Sequence, residues 1–251
     1  MKLLYSLLLA GVLGGLSGTA AGQNAPAAGS GGAPVGWLKL SSDAPLAGPW
    51  HVYSELEARQ ANAQMGYQYL GRLGVRRYLG PSFALTAGYV LARNEAAQPT
   101  DLSTTPEHRF YQEIAVNDAD GAVRVSHRLR AEERWLRPAV EAPFRFAPRL
   151  RYQLRLVVPI AREGHLPVGA FYVIAADELF ASLGQQGPRS SFLEENRASV
   201  GLGRRLSTTL TAEAAYLHQT QQGSGLPACS RNALQLSISY AVPVRAAVVS
   251  Q

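Results

Sequence analysis

The stretch FRFAPRLRYQLRLVVPI, residues 144–160, alternates almost without a break. Phe144, Phe146, Pro148, Leu150, Tyr152, Leu154, Leu156, Val158 and Ile160 share one parity. Arg145, Arg149, Arg151, Gln153 and Arg155 share the other. A repeat of two is the period of a β-strand, whose side chains point alternately to opposite faces. Pro148 and Pro159 exclude one continuous helix here. The preceding stretch, VRVSHRLRAEERWLR at 123–137, repeats the pattern less cleanly. It sets Val123, Val125, Leu129 and Trp135 against Arg124, Arg128, Arg130, Glu132 and Arg134. Its Arg, Leu, Ala and Glu are good helix formers, but no clean apolar stripe appears at helical spacing, so strand is preferred. Soluble strands run about 5–6 residues, whereas about 9–11 cross a bilayer at a tilt. Two longer strands, greasy on one side and ionic on the other, therefore suit a membrane wall.

The same alternation begins at Trp50 and recurs over 50–59, 64–78, 82–93, 107–116, 167–177, 191–206, 208–219 and 231–242. Glu178 to Leu183 reads as one helical turn or as a strand extension. The expected fold is all-β: a closed antiparallel transmembrane-type β-barrel in meander order, with about 10 strands and roughly 8–12 compatible with the pattern. Polar loops at 94–105, 184–190 and 220–230 all follow odd-numbered strands of this count, which places them at one rim.

The N-terminus carries Lys2, an apolar run from Leu3 to Leu16 and the small residues Thr19-Ala20-Ala21-Gly22, the pattern of a signal peptide over 1–22. Residues 23–49 are expected to be a flexible Ala/Gly/Pro-rich leader, 50–242 the barrel and 243–251 a tail. The single cysteine, Cys229, leaves no intramolecular disulfide and no cysteine-based metal cluster. A net charge of +6 suggests nucleic acid only weakly, because the arginines alternate with lipid-like residues and mix with Glu. No nucleic-acid partner is expected.

Alternation alone does not say which face is inside. A soluble barrel holding a greasy ligand keeps the apolar parity within, and a membrane barrel reverses it. Strand length, aromatics on the apolar face (Phe144, Phe146, Tyr152, Tyr172, Tyr216, Tyr240) and small residues on the polar face (Gly66, Gly74, Gly88, Ala147, Gly201, Gly203) favour the membrane, the small residues leaving room for arginine side chains. His127 and Glu133 fall on the lipid side and oppose this reading unless a rim or a bulge moves them. The expected lumen charge network comprises Glu107, Arg109, Glu113, Arg128, Arg130, Glu132, Arg134, Arg149, Arg151, Arg155, Glu195, Arg197 and Glu213. Its bland role is a salt-bridged filling. The sharper one is an anion-selective passage or an anionic-ligand site.

No cofactor-binding, metal or catalytic residue is singled out. His51, His108, His127, His165 and His218 are scattered without ligand spacing. Ser126-His127 with Glu132 or Glu133 is a hydrolase candidate, but adjacent strand residues point apart, and His108 with Glu107 or Glu113 fails the same parity test. The expected function is a small barrel of the bacterial outer membrane with a structural or minor transport role. A periplasmic lipid-binding barrel and an outer-membrane hydrolase stand as alternatives.

Several segments occur in a telling order: Trp50 with Glu55, Ala87-Gly88-Tyr89, Glu107-His108-Arg109 through Gln112, His127 to Arg134, Phe146 to Leu156 with Arg149 to Tyr152 at its core, Glu195-Asn196-Arg197 with Gly201-Leu202-Gly203, and Glu213 to Tyr216 with Gln219. This order resembles a family of uncharacterised outer-membrane barrels, domain of unknown function 2490, common in Bacteroidetes. The resemblance covers roughly 50–240 and implies an outer-membrane barrel with polar lumen residues, but no known activity. The chain departs in its long leader and in the tail beyond Tyr240. Expected partners are outer-membrane lipid and lipopolysaccharide, the barrel-assembly machinery and, in the channel alternative, a small anionic solute. A monomer is expected.

Overall fold

Where the sequence alternates, the chain runs extended and pairs with its neighbour. The computed structural model describes residues 34–62, 66–95, 105–118, 123–137, 142–160, 166–184, 192–223 and 226–242. The expected signal peptide and tail lie outside them. The wall has eleven strands. They are β1 (Val35–Ala47), β2 (Trp50–Asn62), β3 (Gly66–Tyr78), β4 (Phe83–Glu95), β5 (Thr105–Asp118) and β6 (Arg124–Leu136). Then follow β7 (Arg149–Pro159), β8 (Phe171–Ser182), β9 (Leu193–Arg205), β10 (Leu210–Gly223) and β11 (Leu226–Ala241). A two-residue piece, Arg145–Phe146, leads into β7 and pairs with β6 in the register that β7 continues. Between them Ala147 still donates its N–H to the Arg134 carbonyl at 2.8 Å. Pro148, lacking an N–H, thus interrupts the strand without shifting it.

Each strand pairs antiparallel with the next. Closure is different: β1 runs parallel to β11, from Val35↔Ala233 to Asp43↔Ala241. In a meander successive strands alternate direction, so the first and eleventh point the same way and their seam must be parallel. An even count, usual for bacterial barrels, gives an antiparallel seam. The alternation from Trp50 misses this strand. Residues 35–47, expected to belong to a flexible leader, are wall: Leu38 and Leu40 face outward, while Trp37 and Asp43 are buried inside. Gly36, Ser41, Ser42 and Pro45 dilute the pattern enough to hide it. The chain therefore joins the wall at one rim and leaves it at the other. The connections after β4, β8 and β10 share the first rim. The last is a tight hairpin rather than the expected loop 220–230, with Gln221 opposite Cys229. At the opposite rim Gly48, at φ 54°, makes the tight turn from β1 to β2.

The apolar parity is outside. Leu56, Leu73, Val200, Leu202, Leu234 and Leu236 are all exposed, the reverse of a soluble cup around a lipid. Outward aromatics gather near the rims. Phe110 meets Trp135 edge-on at 5.9 Å, and Trp135 meets Phe146 at a tilt at 5.1 Å, near the first rim. At the other rim Arg77 lies over Trp50 and Arg204 over Phe171, at 5.3 and 5.0 Å. Rings and long basic side chains of this kind sit at the edges of an apolar band. His127 and Glu133 do face outward, and the β6 pairings carry no bulge. His127 is hydrogen-bonded to the Tyr152 hydroxyl at 2.8 Å, and Glu133 is exposed opposite Phe110.

Tyr172 departs from its expected place: it is 3% exposed inside the barrel. Its ring lies where a Cβ on Gly203 would stand, and its hydroxyl donates to Glu213 Oε1 at 2.9 Å. Tyr111 is laid in the same way across Gly74 and Gly88, its cross-strand neighbours. These glycines make room for tyrosine rings rather than for arginines.

Two outcomes test this architecture. With Cys229→Ser, the pair Leu40→Cys and Ile238→Cys should oxidise to an intramolecular disulfide that alters migration on non-reducing gels. Such bonds need Cα atoms about 4.4–6.8 Å apart, so no bond means no parallel seam. Gly203→Leu should displace Tyr172 and destabilise by about 1–3 kcal/mol, the usual range for overpacking. The midpoint of heat-modifiable migration should fall, while Gly36→Ala, which meets open space, should leave it unchanged.

Candidate functional site

Inward parity brings polar side chains from every strand into a lumen too narrow to hydrate them separately. The E-x-R spacing puts an acid and a base on the same face of one strand, two residues apart. Glu57 pairs with Arg59 at 2.7 Å, Glu107 with Arg109 at 2.9 Å, and Glu195 with Arg197. Register supplies the second kind of pair. Glu113 lies opposite Arg130, Glu55 opposite Arg72 and Glu132 opposite Arg149, and each pair forms a salt bridge.

Glu132 is the centre, 1% exposed. Its Oε2 accepts from Arg149 Nη2 at 2.6 Å and its Oε1 from Arg151 Nη1 at 2.6 Å. Arg130 and Arg109 stand at 3.8 and 4.0 Å. Arg151 turns its Nη2 to Glu178, 2.7 Å away, which also accepts from Arg128 at 2.8 Å. Arg134 donates to Glu107 at 2.5 Å and Arg155 to Glu213 at 2.5 Å. All residues expected in the network therefore lie inside and are ion-paired. The forked guanidinium makes such shared pairing geometrically feasible.

Several members were not expected. Glu178 fell in a segment left open between helix and strand. Strand geometry points it inward, together with Phe180. Arg149, Arg151 and Arg197 all lie over the Phe180 ring, at 5.0, 4.6 and 4.5 Å. Arg59 and Arg197 both lie over the ring of Trp37, which comes from the unforeseen β1, at 4.7 and 5.1 Å. Asp43, also from β1, accepts from His51 Nδ1 at 2.7 Å, from Tyr78 at 2.8 Å and from Arg76. E-x-R spacing was a usable signal for the acid-base pairs. Nothing comparable marks a lone Phe or Trp as the filler among guanidinium groups.

These groups form a septum across the lumen. On its two sides lie cavities of about 350 and 240 Å³. Lys39, Ser41, Gln153 and Ser237 line the larger, towards the short-turn rim, and Gln68, Asn94 and Arg231 the smaller, towards the other. Trp37, Arg59, Arg151 and Arg197 line both. Chemically this is an ion-paired filling. Ser126 faces the larger cavity while His127 is turned outward to Tyr152, so that dyad is not assembled. Among the described residues no three His, Cys, Asp or Glu side chains are grouped to hold a metal ion.

A family model described as a protein of unknown function, DUF2490, matches residues 35–227, beginning at the first residue of β1. An uncharacterized protein of Methylorubrum extorquens is 32% identical over 140 residues, which is 53% of this chain and 57% of that protein. The chain thus matches little more than half the length of that relative.

Adjacent acids on β6 should behave oppositely. Glu132→Ala leaves Arg149 and Arg151 without their shared carboxylate and should destabilise by about 3–5 kcal/mol, as breaking a buried pair does. Glu133→Ala, on the outer wall, should be neutral or stabilising. Unfolding of both variants in detergent micelles, followed by tryptophan fluorescence, separates the two.

Proposed function

The chain belongs to the DUF2490 family, and we propose that it is a small barrel of the bacterial outer membrane whose own charge network closes its lumen, with a structural rather than a conducting role. One observation carries this reading: Arg130 and Glu132, at the centre of the lumen, are each 1% exposed. An aqueous pore of this kind leaves such groups wet, and barrels with few strands are filled by side chains. Outer-membrane location is supported by the apolar outer wall and the aromatic residues near both rims. On this reading lipid and lipopolysaccharide contact that wall, and the barrel-assembly machinery inserts the protein.

A second reading, an anion passage, is favoured by the four side chains that line both cavities. Trp37, Arg59, Arg151 and Arg197 each border both cavities, and three of them are cationic.

Planar bilayers distinguish the two. The wild-type protein should leave the bilayer silent, and Phe180→Ala with Arg197→Ala should produce a steady, anion-favouring conductance. Steady conductance by the wild type, lowered by Arg151→Gln, would establish the passage instead. Recovery of the mature protein in a detergent-free soluble fraction would defeat both.

A further inference from the structure

The outer wall is not uniformly apolar. On β8 Ile174, Glu178 and Phe180, all of the parity opposite to Asp177, are buried in the lumen, so Asp177 points out. It stands near the middle of Phe171–Ser182, opposite Leu154 on one neighbour and Ala198 on the other. Its carboxylate accepts a hydrogen bond from Asn196 Nδ2 on β9 at 2.6 Å. On β10 the outward His218 meets Asn232 Oδ1 of β11 at 2.8 Å and the Thr220 hydroxyl at 3.3 Å. Thr220 lies directly opposite Asn196. A polar band thus crosses four adjacent strands, whereas β1 to β4 present the exposed Leu38, Leu56, Leu73 and Leu91. Beside Asp177 the outward side chains on β8 and β9 are the small Ala175 and Ala198, while Leu154, Leu179, Val200, Tyr216 and Leu234 border the band with apolar surface. Elsewhere on the wall the outward polar groups form smaller contacts, His127 with Tyr152 and His108 with Tyr89, or stand as Gln112 and Glu133 do on β5 and β6.

Polar and ionisable groups are costly against hydrocarbon, and such groups normally face protein or one another. Small residues with cross-surface hydrogen bonds are the pattern of packed protein surfaces within membranes. We propose that the outward face of β8, β9 and β10 is the interface of a homodimer. The partner is a second copy because the face is complementary to itself. Asp177 and His218 flank β9 on its two sides, on β8 and β10. A two-fold axis along the membrane normal beside β9 exchanges these strands and sets each Asp177 against the His218 and Thr220 of the second copy. This is the isologous arrangement of a symmetric dimer. Asn196 and Ala198 then meet their own counterparts near the axis, where the small alanine permits close approach. The inference rests on the membrane location proposed above.

The test uses the full-length protein in native membranes with Cys229→Ser as background. Ala198→Cys should oxidise to a disulfide-linked dimer as the main species. Leu73→Cys, on the opposite wall, should give only the background of random collision. Adding Asp177→Leu or His218→Leu to Ala198→Cys should lower the dimer several-fold, with heat-modifiable migration showing that each variant is folded. Ala198→Cys giving no more dimer than Leu73→Cys overturns the proposal. Lipopolysaccharide co-purifying with a monomer and lost in Asp177→Leu also overturns it, because lipid then covers the band. Absence from the membrane fraction would instead remove the location on which the inference rests.

Discussion

Glu132 and the arginines around it make the rest of the barrel possible. A carboxylate and several guanidinium groups withdrawn from water cost far more than their hydrophobic replacements unless each finds partners in good geometry. Here Glu132 accepts from Arg149 and Arg151, and Arg151 passes the pairing on to Glu178 and through it to Arg128. The network closes only if β5 to β8 hold their registers, since a slip of one residue would turn every charge onto the apolar outer face. Charge pairing inside and apolar contact outside thus enforce the same register.

The aromatic members complete the filling. Phe180 and Trp37 offer flat, apolar faces to guanidinium groups that already have carboxylate partners. Stacking of this kind costs the guanidinium none of its in-plane hydrogen bonds, so paired arginines can be packed at high density. Tyr111 and Tyr172 use the space left by glycines on neighbouring strands, which brings a large ring flat against the wall. The lumen is consequently packed as a polar core, between two modest cavities.

The odd strand number has a structural consequence beyond the seam. Trp37 and Asp43 enter the network from β1, one on the septum and one in the cluster around His51 and Arg76. Removing that strand would open the wall and also strip the septum of a filler and the rim of its acceptor. The segment that closes the cylinder is therefore also part of what fills it.

Much of this was legible from residues alone, because strand geometry converts parity directly into facing. Arg149 to Arg155 and Arg130 to Arg134 declare an ionic face, and E-x-R spacing at Glu107 and Glu195 declares which acids sit beside which bases. Tyr172 faces inward because it shares its parity with Glu178 and Phe180, which the apolar run Phe171 to Ala176 does not reveal by itself, and Gly203, a neighbour distant in sequence, leaves the room that its ring takes. Strand β1 escaped notice because Gly, Ser and Pro mask a period of two. Its hydrogen bonds come from β2 and, across the seam, from β11 at the far end of the chain. Local alternation determined that this protein is a barrel with a charged parity and an apolar one. Only the tertiary structure decided the strand count, the parallel closure and the focusing of the charges on Glu132, since these depend on registers between strands that no local repeat encodes.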